Sequence, residues 1–225
     1  IYRWIERALP AGALVALELR QMARTRRLRG LVLGGCLIVV YFYGFGILTS
    51  DPGRLIDPDA FVMICFFGIG GPTYGLAQWN FGTWAGYVSG LFARPHPLPD
   101  IMLGRTIVLW MGLIPGTLAT VGVLPWVPPA QAAFLLGMVL FWGGVVVPTF
   151  VYLGPYFRTP VDPSASMFTM NTNAHGFRLL PIILAVLLLP VVALATGVWW
   201  GVGGVVGGLG LAGLVWLAWT REPLA

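Results

Sequence analysis

Residues 20–49, RQMARTRRLRGLVLGGCLIVVYFYGFGILT, join a cluster of arginines directly to a long apolar run. A run of about 20 apolar residues is long enough to cross the hydrocarbon core of a bilayer as a helix. Arginines in short loops are retained on the cytoplasmic side of the membrane. The stretch therefore predicts a transmembrane helix that leaves the cytoplasm after a membrane-surface basic cluster. The members of this cluster are Arg20, Arg24, Arg26, Arg27 and Arg29.

The rest of the chain has the same character. Hydrophobic residues make up 58% of its 225 residues and charged residues only 9%, whereas soluble domains carry about 25% charged residues. The chain has thirteen arginines and no lysine, and in a six-span arrangement every arginine except Arg54 falls on one face of the membrane. This distribution predicts a multi-pass membrane protein with both termini on the cytoplasmic side.

The predicted fold class is all-α, a polytopic membrane protein with six transmembrane helices. Residues 1–30 form a cytoplasmic interfacial segment, residues 31–219 the transmembrane domain, and residues 220–225 a cytoplasmic tail. The predicted spans are residues 31–49, 60–77, 103–124, 132–153, 179–195 and 198–219.

Residues 1–30 mix apolar and charged residues at helical spacing. Leu14, Leu17 and Met22 fall roughly on one helical side, whereas Glu18 and the arginines fall largely elsewhere. A basic amphipathic helix of this kind lies in the membrane interface, and its arginines contact anionic lipids. The alternative is a disordered basic tail, because a proline and a glycine weaken the first half of the pattern.

Several function classes lack support in the sequence. No predicted span carries a charged residue in its interior, which argues against a proton pump or an ion-coupled transporter. Both histidines, His96 and His175, fall in predicted loops, and no phosphate-binding loop of the GxxxxGKS type is present. The arginines are spread over several loops without interleaved aromatic residues, so no nucleic-acid partner is expected. We predict no enzymatic activity, no metal and no cofactor.

Residues 78–102, which follow the second predicted span, return to the cytoplasm. Trp84, Tyr87, Leu91 and Phe92 recur at helical spacing and predict a short amphipathic helix along the membrane surface. The sequence ARPHPLPD then ends this helix with three prolines.

The order of these features resembles the membrane subunit of type-2 ABC transporters, the exporter-like permeases. In that family an interfacial elbow helix precedes the first span, and a coupling helix between spans two and three docks into a separate ATPase. Gly82 and Thr83, the stretch from Leu91 to Pro95, and Gly104 and Arg105 follow the family pattern over residues 14–124.

The resemblance implies a permease that forms the translocation path, with an ATP-binding cassette ATPase and a second permease copy or half as partners. The ATPase-docking residues that it implies are Trp84, Tyr87, Leu91, Phe92 and Arg94. The alternative reading of this helix is that it lies on lipid, with its aromatic residues as anchors.

A second resemblance involves the loop over residues 154–178. Arg158 to Asp162 and Asn173 to Gly176 are similar to a segment of a double-length bacterial permease family. That resemblance implies that the chain is the second half of a doubled polypeptide, and its first residue, Ile1, is consistent with this.

A non-catalytic structural subunit of a respiratory or photosynthetic membrane complex is the competing hypothesis. The uncharged spans, the ten tryptophans and the glycine-rich last span favour it. Such a subunit would need no ATPase.

Overall fold

A computed structural model describes residues 2–8, 11–49, 56–78, 98–153, 184 and 188–219 of the chain. The described residues form helices joined by short connections, with no strand among them. The α-helices are α1 (Tyr2–Ala8), α2 (Gly12–Arg24), α3 (Arg26–Thr49), α4 (Pro58–Met63), α5 (Ile69–Gln78), α6 (Leu98–Val123), α7 (Pro129–Phe141), α8 (Val147–Leu153) and α9 (Trp199–Trp219). Residues 188–196 are also helical.

Two spans contain an internal π-helical segment. Ile64–Gly68 joins α4 to α5, and Trp142–Val146 joins α7 to α8. A short 3₁₀ turn, Leu124–Trp126, extends α6.

Four helical stretches among the described residues are long and apolar enough to cross a membrane: Pro58–Ala77, Asp100–Trp126, Pro129–Leu153 and Trp199–Trp216. They agree with the predicted second, third, fourth and sixth spans. α3 covers the predicted first span with 24 residues and contains a shorter apolar helix, Val32–Gly46. The chain is therefore an all-helical membrane protein. The predicted fifth span, residues 179–195, lies largely outside the described residues.

α3 runs antiparallel to the span formed by α4 and α5. Gly35 lies against Pro72, Tyr43 against Gly68, and Gly46 against Ile64, so the residue numbers run in opposite directions along the interface. α6 packs beside both helices and also contacts α8. Thr73 donates its hydroxyl hydrogen to the carbonyl of Leu109 at 3.1 Å, which ties α5 to α6.

The two ends of the bundle differ in charge. At one end the backbone N–H of Ile56 donates to Oε1 of Gln131 at 3.0 Å, which joins the starts of α4 and α7. Asp57 caps α4 there by accepting from the N–H of Asp59. The opposite end holds α2, the arginine-rich start of α3 and the start of α6.

Glycines allow α9 to pack closely against the α7–α8 span. A Cβ atom added at Gly210 would lie 2.6 Å from the backbone N of Phe141, and one at Gly144 would overlap the carbonyl of Gly210. Gly203 is similarly close to the backbone of Phe134. In contrast, Gly208 faces open space. Close backbone contact through small residues is a common way for membrane helices to associate, because lipid provides little hydrophobic drive.

We predict that Gly210→Ala destabilises the protein, whereas Gly208→Ala does not. The added methyl group at position 210 meets the backbone of the α7–α8 span and forces α9 outwards, at a cost of about 1–3 kcal/mol. The same methyl group at position 208 meets nothing within 4 Å and gains up to about 1 kcal/mol of helix propensity. Thermal unfolding in detergent measures both changes. Equal midpoints for the two variants would show that the close contact does not hold α9.

Candidate functional site

α1 and α2 form a helical hairpin at the arginine-rich end of the bundle. Ala11 turns the chain with a φ of 52°, in the left-handed region, and its carbonyl accepts from the N–H groups of Leu14 and Val15. α1 then crosses α2 so closely that a Cβ on Gly12 would lie 2.9 Å from the carbonyl oxygen of Glu6. Only glycine fits such a crossing.

The face that α2 buries differs from the predicted one. Leu14, Val15, Ala16 and Glu18 are buried, whereas Leu17 is 41% exposed. The sequence placed Leu14 with Leu17 on one apolar side and Glu18 elsewhere, and this grouping was wrong, because Leu14 and Glu18 are buried together while Leu17 is exposed. Leu14 and Glu18 are four residues apart, so they share one helical face, and this face contacts α6 rather than lipid.

Glu18 and Arg105 form a buried ion pair between α2 and α6. Nε of Arg105 lies 2.6 Å from Oε1 of Glu18, and both side chains are almost fully buried. The sequence grouped Arg105 with the arginines of the cytoplasmic face, as the basic residue that opens the third predicted span, residues 103–124. α6 begins earlier, at Leu98, so Arg105 lies about two turns inside the helix, where it is buried against α2.

The length of α6 explains how a charge is accommodated there. Its 26 residues span about 39 Å, roughly 9 Å more than the hydrocarbon core. Arg105 lies about 10 Å along the helix from Leu98, within the first third of α6. α2 covers it at this level and supplies the opposite charge.

Burial raises the pKa of the Glu18 carboxyl to about 7, and the nearby guanidinium of Arg105 opposes this rise. Desolvation therefore changes the pKa of Glu18 more than the attraction to Arg105 does. A second ion pair in the hairpin, between Glu6 and Arg20 at 2.7 Å, is substantially exposed. The two pairs have similar lengths and differ in burial.

The predicted basic cluster is divided between two helices. Arg20 and Arg24 lie on α2, and Arg26, Arg27 and Arg29 lie on the first turn of α3. Arg20 bonds Glu6 within the hairpin, while Arg24 and Arg29 are exposed. The side chains of the other two are outside the described set.

The predicted docking residues, Trp84, Tyr87, Leu91, Phe92 and Arg94, also lie outside the described residues. The structure describes the helices on either side of them, α5 up to Gln78 and α6 from Leu98. Since α6 carries Arg105, the segment that contains the docking residues leads into the helix that the hairpin contacts.

The two π-helical segments each free a backbone carbonyl that accepts an indole N–H. In the first, the N–H of Ile69 donates to the carbonyls of Ile64, five residues back, and Phe66, but not to that of Cys65, four residues back. The carbonyl of Cys65 accepts instead from Nε1 of Trp142 at 3.0 Å. A shift of this kind is what distinguishes a π turn from an α turn.

The second segment repeats the arrangement. The N–H of Val147 bonds Trp142 instead of Gly143, and the carbonyl of Gly143 accepts from Nε1 of Trp110 at 2.8 Å. Trp110 belongs to α6, and Trp142 belongs to the second π segment itself. The two indoles therefore connect three spans through their π segments, and each hydrogen bond satisfies a carbonyl that hydrocarbon could not.

Trp142 is fully buried at the centre of this network. Its six-membered ring lies on Gly70, where even a methyl group would overlap it. The rings of Phe66 and Phe150 lie 6.0 Å and 6.5 Å from it. The site therefore provides close packing and directed hydrogen bonds.

The sequence contained signals for these residues. Glu18 is an acid set between apolar residues in a basic segment, and Trp110 and Trp142 lie in the middle of predicted spans rather than at an interface. Mid-span tryptophans need a hydrogen-bond acceptor when buried, and a buried acid needs a basic partner.

No family model, curated protein or solved structure matches this chain. Among the described residues, no group of three or more histidine, cysteine, aspartate or glutamate side chains could hold a metal ion. The function must therefore be inferred from the ion-paired hairpin, the indole network and the arrangement of the spans.

We predict that Trp142→Phe destabilises the bundle more than Trp126→Phe. Phenylalanine cannot donate to the carbonyl of Cys65, and a buried carbonyl without its partner costs about 1–3 kcal/mol. Trp126 is 53% exposed and is the control, with an expected change of less than about 0.5 kcal/mol. Thermal unfolding in detergent measures both, and equal losses would contradict a structural role for the indole hydrogen bond.

We predict that the buried ion pair contributes far more to stability than the exposed one. Glu18→Leu leaves a buried guanidinium without its carboxylate and should cost about 3–5 kcal/mol. Glu6→Leu, in the exposed pair, should cost at most about 1 kcal/mol. The double variant Glu18→Leu/Arg105→Met removes both charges and should recover most of the loss. Similar losses for the two single variants would refute the prediction.

The same pair should give a pH signature. In Arg105→Met the opposing charge is gone, so the pKa of Glu18 lies above its present value of about 7. When the pKa of a carboxyl group is higher in the folded protein than in the unfolded one, ionisation of the group destabilises the fold. The free energy of unfolding then falls as the pH rises between the two pKa values. Arg105→Met should therefore be closer to wild type at pH 5 than at pH 8. Glu18→Leu should show no such recovery at pH 5, because the guanidinium stays charged.

Proposed function

We propose that the chain is the membrane-spanning permease subunit of an ATP-driven ABC exporter. In this proposal it forms the translocation path together with a second permease copy or half, and a separate ATP-binding cassette ATPase docks on residues 81–96. The observation that supports the proposal best is the hairpin of α1 and α2, which is fixed to the start of α6 by the Glu18–Arg105 pair.

α6 is suited to pass on a displacement of the proposed docking segment. It begins at Leu98, directly after that segment, and it contacts α2, α3, α5 and α8. Helices that are tightly packed move as units rather than deform continuously. A push on residues 81–96 would therefore reach most of the described bundle through this one helix.

The charge distribution supports a placement in the bacterial inner membrane with both termini in the cytoplasm. Arg24, Arg29 and Arg105 lie at one end of the bundle, and Asp57 and Asp59 lie at the other. A basic end of this kind is expected on the cytoplasmic side.

A structural subunit of a larger membrane complex is the second candidate. α9 favours this candidate. Within the described residues, only 22% of the membrane-spanning part of α9 is buried, whereas 61% of the α7–α8 span is buried. An apolar helix with this much free surface is suited to contact another membrane protein.

Affinity purification of the tagged chain from its native membrane in mild detergent tests the proposal. We expect mass spectrometry to find an ATPase in stoichiometric amount with wild-type protein. Leu91→Asp places a charge among the proposed apolar contacts and should reduce the amount of co-purified ATPase at least tenfold. Trp126→Ala, at the opposite end of the bundle, is the matched control and should retain it.

Equal thermal stability of these variants would show that the loss of the ATPase is not due to unfolding. Haem- or pigment-bearing partners without an ATPase would overturn the permease proposal and support the structural subunit.

A further inference from the structure

A groove of about 380 Å³ lies between α2, α3 and α6. Its walls include Met22 of α2, Val32 and Leu33 of α3, and Val108 and Met111 of α6. Leu33 is 65% exposed, so the groove opens at the surface of the bundle. Its volume is within the range of about 300–1,000 Å³ that is typical of ligand pockets.

The groove is not suited to water. Apart from Arg29, the described residues that line it are leucine, methionine, alanine, valine and glycine. A bound water needs two to four polar partners, which these side chains do not offer. Because α3 is the predicted first span and its residues Val32–Gly46 form an apolar helix, the medium expected beside Leu33 is lipid, and an apolar chain can enter the groove from there.

Arg29 provides the one charge among the described lining residues. It lies one turn before Val32, where the apolar part of α3 begins, and this places it at the level of the lipid headgroups. The two described acids of the hairpin face other arginines, Glu6 paired with Arg20 and Glu18 with Arg105. Arginine binds phosphate through two parallel N–H groups.

We propose that this groove binds one anionic glycerophospholipid, with an acyl chain along Met22, Val32 and Met111 and the headgroup phosphate at Arg29. The charge at the rim and the apolar walls below it match the two parts of such a molecule. The site is independent of the proposed transport function, since it requires only that the chain lie in a membrane.

Native mass spectrometry of the delipidated protein tests the site. Phosphatidylglycerol or phosphatidylcholine with identical acyl chains is added to the detergent solution, and the fraction of protein that retains one lipid is measured. Wild type should retain phosphatidylglycerol in preference to phosphatidylcholine. Because one arginine contributes about fivefold to the binding of an anionic lipid, Arg29→Gln should reduce that preference about fivefold. Arg24→Gln, an exposed arginine on α2 that does not line the groove, is the control.

A second pair of variants tests the acyl-chain site. Val32→Phe fills the groove and should reduce retention of both lipids. Val40→Phe adds the same volume at a position on α3 that is 69% exposed and should leave retention unchanged. Matching unfolding midpoints for the two variants confirm that Val32→Phe folds.

Three outcomes would overturn the proposal. Equal effects of Arg29→Gln and Arg24→Gln would mean that surface charge alone attracts the lipid. Equal retention of the two lipids by wild type would mean ordinary annular contact. A dimer that Val32→Phe dissociates would mean that a second copy of the chain occupies the groove.

Discussion

Close backbone contact between spans is the constraint on which the rest of this structure depends. In hydrocarbon, helices gain little by hiding apolar side chains from lipid, so they associate through packing and hydrogen bonds. Gly210 lies directly on the backbone of the α7–α8 span, and Gly35 lies on Pro72. These contacts bring the spans close enough for Trp110 and Trp142 to reach carbonyls on neighbouring helices. Each π segment supplies a carbonyl that an α-helix would have used internally, so the irregular turns and the indoles depend on each other.

The Glu18–Arg105 pair solves a different problem, at the edge of the membrane. α6 is longer than the hydrocarbon core is thick, and Arg105 lies in the first third of the helix. A guanidinium on an isolated helix at this depth would reach towards the headgroups. Here it is covered by α2 instead, and the carboxylate of Glu18 compensates its charge. Because Arg105 lies on α6, outside the hairpin, the pair also fixes the position of the hairpin on the bundle. The exposed pair could not do this, because Glu6 and Arg20 both belong to the hairpin.

The sequence predicted the second, third, fourth and sixth spans, which the structure describes as long apolar helices, because their signal is local. A long apolar run bounded by arginines defines a helix such as α3 or α6 without knowledge of its neighbours. The sequence separated Glu18 from Leu14 on α2 wrongly, because amphipathic spacing assumes that charged side chains face water or lipid headgroups. Which charge is paired depends on another helix far along the chain, as Glu18 and Arg105 show. The same holds for the indoles, because a tryptophan in a span does not reveal which carbonyl a π turn has freed. The predicted docking residues around Trp84 and Leu91 stay a prediction.

α2 takes part in both the buried ion pair and the groove at the arginine-rich end. Glu18 contacts Arg105 of α6, while Leu19, the next residue, and Met22, one turn further on, form one wall of the groove. Val108 and Met111 of α6 form the facing wall, within two turns of Arg105. Any movement that separates Glu18 from Arg105 must therefore also change the width of the groove, because both contacts join the same two helices. A molecule held between these walls would, by the same geometry, resist that separation. Binding of the proposed lipid would therefore favour the closed Glu18–Arg105 pair, and by reciprocity the closed pair would favour lipid binding to the same extent.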